Sequence, residues 1–176
     1  TIISEDEIEQ KQAVRVAELL RSVPGVSLSR SGSLGGQTSV RMRGVDSKYT
    51  QVLVNGVRVN DPTSPDGSYD FSTMITENVK RIEIVRGNQS VLHGSDAIGG
   101  VINVITKEGT EDLRTEATAE YGSFGTHRVS TEVSGTVQSI RFSTNLSQYE
   151  SDGISAAASG TEEDGYENQT LSTRLS

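Results

Sequence analysis

The spacing of apolar residues changes twice along the chain, and each change marks a change of element. Ile8, Val16, Leu19 and Leu20 follow a helical pattern, with Ser4 three residues ahead of Glu7 and acids crowded between them, the arrangement of a capped helix start. The pattern stops before Pro24-Gly25 and fits either one helix or two short ones broken near Gln12-Ala13. Residues 26–30 and 40–44 predict short strands, and residues 51–54 and 57–59 predict a hairpin turning at Asn55-Gly56, the strongest short hairpin signal. In residues 79–107, Ile82 and Ile84 alternate with Arg81 and Glu83, the period of a half-buried strand. The chain then breaks at Gly87-Asn88, forms a short helical turn, and reaches a turn before Gly99-Gly100 that Ser95 or Asp96 caps. Residues 101–105 are almost continuously apolar, as in a strand covered on both faces. Asn103 interrupts that run and needs a hydrogen-bond partner.

Beyond Lys107 the period becomes two. Ala117, Ala119 and Tyr121 alternate with Glu116, Thr118 and Glu120; Val129 and Val133 with Arg128, Ser130 and Glu132. Ile140, Phe142 and Leu146 oppose Arg141, Ser143 and Asn145, and Leu171 and Leu175 oppose Ser172 and Arg174. Segments of about ten residues suit strands that cross an outer membrane, but a soluble antiparallel sheet has the same alternation. Residues 136–139 make a tight turn, whereas residues 150–166 make a long acidic connection. Outer-membrane barrels pair short periplasmic turns with long external loops, which directs the long connection outward.

Composition narrows the function more than the fold. A net charge of −8 argues against a nucleic-acid partner, which needs a basic footprint. There is no cysteine, hence no disulfide framework and no thiolate metal site. No apolar run of about 18 residues is present to cross a membrane as a helix, a criterion that does not bear on barrels. The loop at residues 31–37 has three glycines but lacks the GK[ST] and helix of a phosphate cradle. The two histidines, His93 and His127, sit on different elements, and no catalytic constellation stands out, so the chain is not expected to be an enzyme. It opens with TIIS rather than Met, and four strands cannot close a barrel. It is therefore expected to be part of a longer protein.

Residues 81–106, RIEIVRGNQSVLHGSDAIGGVINVIT, resemble the end of the plug domain of TonB-dependent outer-membrane receptors, with its "ERIEV-RG" strand followed by "YG-AIGGVINIIT". Asn88 stands where a proline is usual and His93 where a tyrosine is usual. LLRSVPGV at 19–26 and the RMRG and VLVNGVRVND stretches match further plug motifs. The resemblance implies an α+β plug, a small mixed sheet with short helices, over residues 1–110. Antiparallel strands of an incomplete transmembrane β-barrel follow over residues 111–176. A soluble ligand-binding or adhesion module, an α+β domain followed by a small sheet, is the alternative.

The same resemblance implies energy-coupled uptake of a scarce nutrient such as cobalamin, a ferric siderophore or haem. Energy would come from TonB, through a segment preceding Thr1, and the strands would meet outer-membrane lipid. By match to the cobalamin-receptor branch, ligand contacts fall at Gln37, Ser39, Asp46, Ser64 and Pro65. Arg43 and Arg86 are expected to lock the plug to barrel glutamates. No cofactor is required. Calcium is a weak expectation in the acidic loop, with Asp152 and Asp164 as candidate ligands.

Overall fold

The computed structural model describes residues 1–60, 67–157 and 159–176. The chain divides into two units, one of Thr1–Ser31 with Gly36–Thr106 and one of Gly32–Gly35 with Lys107–Ser176.

In the first unit, β1 (Ile2–Ile3) precedes α1 (Glu5–Lys11) and α2 (Val16–Leu20). Ser4 caps α1 by accepting from the Glu7 amide at 3.3 Å, and Gln12 ends it in the left-handed region at φ 47°. The helical stretch is thus two helices. Then come β2 (Val26–Arg30), β3 (Thr38–Met42), β4 (Thr50–Val54), β5 (Val57–Arg58), β6 (Val79–Arg86), α3 (Ser90–His93) and β7 (Gly100–Thr106). The main sheet has the order β1-β6-β7-β4-β5, while β2 and β3 form a separate hairpin. β7 is central, parallel to β4 and antiparallel to β6, which is why its sequence is so apolar. Ile102 and Val104 join Ile3, Ile8, Leu19, Leu20, Met42, Val52, Phe71, Ile82 and Ile84 in one core, while Val101 packs with Leu53 and Ala97 in a smaller cluster.

Two details depart from the sequence expectation. β3 begins and ends two residues earlier than predicted, because Arg43 and Gly44 both have positive φ, 52° and 75°. β1 has no local signal at all: Ile2 and Ile3 pair with Glu83 and Ile82 some 80 positions away.

Asparagines continue the ladders where backbone runs out. Asn55 and Gly56 turn the β4–β5 hairpin at φ 51° and 80°, and the Asn55 side chain donates to Thr106 Oγ1 at 2.8 Å and accepts the Thr106 amide at 3.0 Å. Buried Asn60 accepts the Val52 amide at 2.8 Å and donates to the carbonyls of Thr50 and Gly67, each at 3.2 Å. Asn103 finds its partners in Glu83 Oε2 at 3.1 Å and the Gly56 amide at 3.0 Å. The hydrogen bond from Arg81 holds the Glu83 carboxyl below its ordinary range, against a smaller opposing effect of burial, and Asn103 adds to the lowering.

The second unit is an antiparallel sheet of β8 (Arg114–Tyr121), β9 (His127–Val137), β10 (Ile140–Ser151) and β11 (Tyr166–Leu175), in the order β11-β10-β9-β8. β9 and β10 join at a two-residue turn with Gln138 at φ 57°. β8 is exposed on both faces, and the alternation in β9, β10 and β11 runs opposite to that of a soluble sheet. Val129, Val137, Ile140, Leu146, Leu171 and Leu175 are exposed, whereas Ser130, Ser134, Ser143, Asn145, Ser147 and Ser151 are buried. In water the apolar face would be the covered one; an apolar exterior over a polar interior is the signature of strands that face lipid. The glycine tip of the 31–37 loop belongs to this unit, with Gly35 against the ring of Tyr166, where any side chain would collide.

The glycines of the AIGGVIN stretch are required by packing. A Cβ on Gly100 would lie 2.4 Å from the Val85 carbonyl and 2.6 Å from Met42 Sδ, at φ 148°. At Gly44, φ 75°, it would meet nothing within 4 Å. Gly100→Ala is expected to destabilise the protein by about 2–4 kcal/mol through overpacking and backbone strain together, and Gly44→Ala by about 1–2 kcal/mol from the left-handed backbone alone. Denaturant unfolding of the two variants measures the difference.

Candidate functional site

Three motifs distant in sequence converge on one turn of the first unit. Pro24 and Gly25 follow α2, Arg43 and Gly44 end β3, and Arg86 and Gly87 end β6. Arg86 Nη1 donates to the Pro24 carbonyl at 2.7 Å, and the Arg43 amide donates to the Gly25 carbonyl at 2.7 Å. The Arg43 guanidinium lies over Gly87, where Nη1 would be 3.1 Å from any Cβ. Gly87, at φ 110°, is therefore a seat for Arg43 as well as a bend. Gly99, next to this turn, would drive a Cβ to 2.6 Å from Val45 Cγ2. Both arginines are exposed, and among the described residues neither is in an ion pair. Two neighbouring cations without a carboxylate raise each other's energy and attract an anionic partner.

A second feature ties two loops together. Asp70 Oδ1 accepts the amides of Thr38 and Ser72, both at 2.9 Å, and the Phe71 amide donates to the Thr38 carbonyl at 2.9 Å. The returning end of the 60–71 loop is thus joined to the start of β3, where the 31–37 loop also ends. Residues 74–76 then pair with the linker between α1 and α2. The Val16 amide donates to the Met74 carbonyl at 3.0 Å, the Thr76 amide to the Val14 carbonyl at 3.1 Å, and Thr76 Oγ1 to the Ala13 carbonyl at 2.6 Å.

Comparisons with known proteins agree with this geometry. The family model for the TonB-dependent receptor plug domain matches residues 1–101, the span that carries all three converging motifs. The chain belongs to the TonB-dependent receptor plug family. It is 41% identical over 135 residues to the vitamin B12 transporter BtuB of Photobacterium profundum, covering 77% of this chain and 22% of that protein. It is 32% identical over 174 residues to the vitamin B12 transporter BtuB of Vibrio vulnificus, covering 97% and 28%. The chain thus spans between a fifth and a third of the length of these curated relatives. Among solved structures, the siderophore receptor PirA from Acinetobacter baumannii superposes with a TM-score of 0.79 at 24% identity, covering 99% of this chain and 28% of that one. PirA from Pseudomonas aeruginosa does so at 0.69 and 30% identity, covering 99% and 31%. The fold is a plug with its mixed sheet, followed by antiparallel strands of the wall of a TonB-dependent barrel.

Within this plug the expected ligand residues fall into two places. Gln37 is exposed, and its carbonyl accepts the Ser31 amide at 3.0 Å; Ser39, on β3, faces Ser29 across the hairpin. Asp46 lies past the opposite end of β3, beyond the turn at Arg43-Gly44. It is exposed, and its Oδ1 accepts from Ser47 Oγ at 3.2 Å. Ser64 and Pro65 lie outside the described residues. The described ends of their loop are anchored by Asn60 on Val52 and Thr50 and by Asp70 on Thr38. Sequence reasoning missed both anchors; a DxS turn at residues 70–72 is the one local hint, and it is weak.

The two candidate calcium ligands of the acidic loop have separate partners. Asp164 Oδ2 accepts the Ala156 amide at 2.6 Å, and the Asp152 carboxylate lies against Gly125. Among the described residues no three acidic or imidazole side chains are grouped to hold a metal ion.

Proposed function

We propose that this chain is the plug and the first wall strands of an energy-coupled outer-membrane receptor of a Gram-negative bacterium, whose nutrient is cobalamin. The 41% identity to a vitamin B12 transporter across 77% of the chain carries this reading. A ferric siderophore is the second candidate, favoured by the likeness to the siderophore receptor from Pseudomonas aeruginosa. The soluble adhesion alternative is disfavoured by the exposed apolar face of β9 to β11. We divide the chain into a plug at residues 1–110 and barrel wall at residues 111–176. Polar, irregular loops on a rigid scaffold suit a ligand floor; Gln37 and Ser39 contribute beside the loop that carries Ser64 and Pro65, and Asp46 contributes from a separate turn. TonB engages a segment ahead of the plug. The transport cycle needs no cofactor and no chemistry on the ligand.

Arg43 and Arg86 hold the plug in place by pairing with carboxylates of the barrel interior. A guanidinium in a polar, water-poor lumen gains from bidentate carboxylate contact. Arg86 keeps its bond to the Pro24 carbonyl in the same arrangement, so the lock also grips the turn after α2, close to the end on which TonB pulls.

Uptake of labelled cyanocobalamin by cells carrying the complete receptor tests the function. Accumulation that disappears when TonB is deleted is expected. Binding of ferric siderophores with no cobalamin binding would transfer the reading to the second candidate, and no binding of either would end it. Arg86→Ala in the complete receptor is expected to lower the force at which the plug is drawn out by its N-terminus in single-molecule pulling. An unchanged extraction force would defeat the lock.

A further inference from the structure

A cavity of about 40 Å³ in the first unit lies beside the loop junction and apart from the arginine pair. Arg15, Glu18, Arg21, Arg30, Thr38 and Phe71 line it. We propose that it is a binding site for an oxyanion the size of a carboxylate or phosphate head, independent of the nutrient that the receptor carries.

The charge of the lining supports this. Three arginines and one glutamate line the cavity, in a chain whose net charge is −8. That carboxylate is already committed: Glu18 Oε1 lies 3.4 Å from Arg15 Nε, and Oε2 accepts the Val14 amide at 3.2 Å, ahead of α2. Asp70, beside Phe71, is likewise held by the amides of Thr38 and Ser72. Arg21 and Arg30 are exposed and have no ion pair among the described residues. Arg15 is only 5% exposed and is already paired with Glu18, so Arg21 and Arg30 supply the charge open to a ligand.

Size fixes the class of ligand. The space suits about three waters, which one planar or tetrahedral oxyanion head replaces, while a macrocycle or an intact siderophore is excluded. Guanidinium groups bind such heads through paired N–H donors. The place matters too. Arg15 and Arg21 flank α2, Arg30 ends β2, and Thr38 and Phe71 form the junction from which the 31–37 and 60–71 loops leave. An oxyanion here cross-links the N-terminal helix region to the base of the proposed ligand floor.

The same head can come from a free anion or from a carboxylate side chain elsewhere in the receptor, and one experiment separates the two. The complete receptor is titrated with inorganic phosphate by calorimetry, and its thermal unfolding is followed at low and high salt. The wild type, Arg21→Gln/Arg30→Gln and the control Arg41→Gln, an exposed arginine outside the cavity, are compared. For a free anion, phosphate binds the wild type and the control, and binding weakens at least about tenfold in the double variant, as expected when charge-assisted contacts are removed. For an internal carboxylate, phosphate does not bind. The double variant then unfolds at a lower temperature than wild type and control, and the difference shrinks at high salt. Equal phosphate binding in all three would overturn the proposal. So would the absence of binding together with matching unfolding at both salt concentrations.

Discussion

Strands that meet lipid on one face must turn their polar side chains the other way and pair every backbone group laterally. β9 and β10, paired on both sides, satisfy both requirements, while β8 and β11 form the edges of the sheet. Each is hydrogen-bonded to its neighbour over nearly its full length, and their leucines, isoleucines and valines point outward while serines and Asn145 are shielded. Much else in the chain follows from this inversion. A wall apolar outside and polar inside suits the proposed retention of a plug by polar and charged contacts. The plug carries two exposed arginines side by side on one turn, with no carboxylate of its own among the described residues to neutralise them.

The glycines of the plug have a steric cause. Gly87 leaves room for the Arg43 guanidinium, Gly99 for Val45, and Gly100 for the Val85 carbonyl and Met42. The repeated Arg-Gly pairs are therefore one structural unit and not two separate signals. Each arginine is positioned by the Pro24-Gly25 turn, one through its side chain and the other through its amide. Removing any of the three segments would remove contacts that hold the other two, although they lie far apart in sequence.

The sequence was most legible where a local rule applies. The Ser4 cap, the Asn55-Gly56 hairpin, the apolar run of β7 and the alternation of the last four strands are all written in neighbouring residues. What it did not show depends on distant partners. β1 is two residues long and exists because β6 offers an edge. Asn60 and Asp70 act through side chains that replace backbone partners, and nothing beside them in sequence reveals which amide they will meet. Alternation itself carries no sign: Leu146 and Asn145 alternate in the same way whether the strand stands in water or in lipid, and burial alone separates the two. Likewise Asp46 lies at the opposite end of β3 from Gln37, an arrangement that motif matching does not weigh.

The most direct test of the account is therefore the environment of Leu146 and Asn145 on β10. With Leu146→Cys or Asn145→Cys as the single cysteine in the complete receptor, a nitroxide is attached and the receptor reconstituted in bilayers. Collision rates with oxygen, which concentrates in lipid, and with a water-soluble nickel chelate are then measured. The account predicts a label at position 146 that meets oxygen and escapes nickel, and a label at position 145 that does not meet lipid oxygen. A label at position 146 relaxed by nickel in preference to oxygen would contradict it.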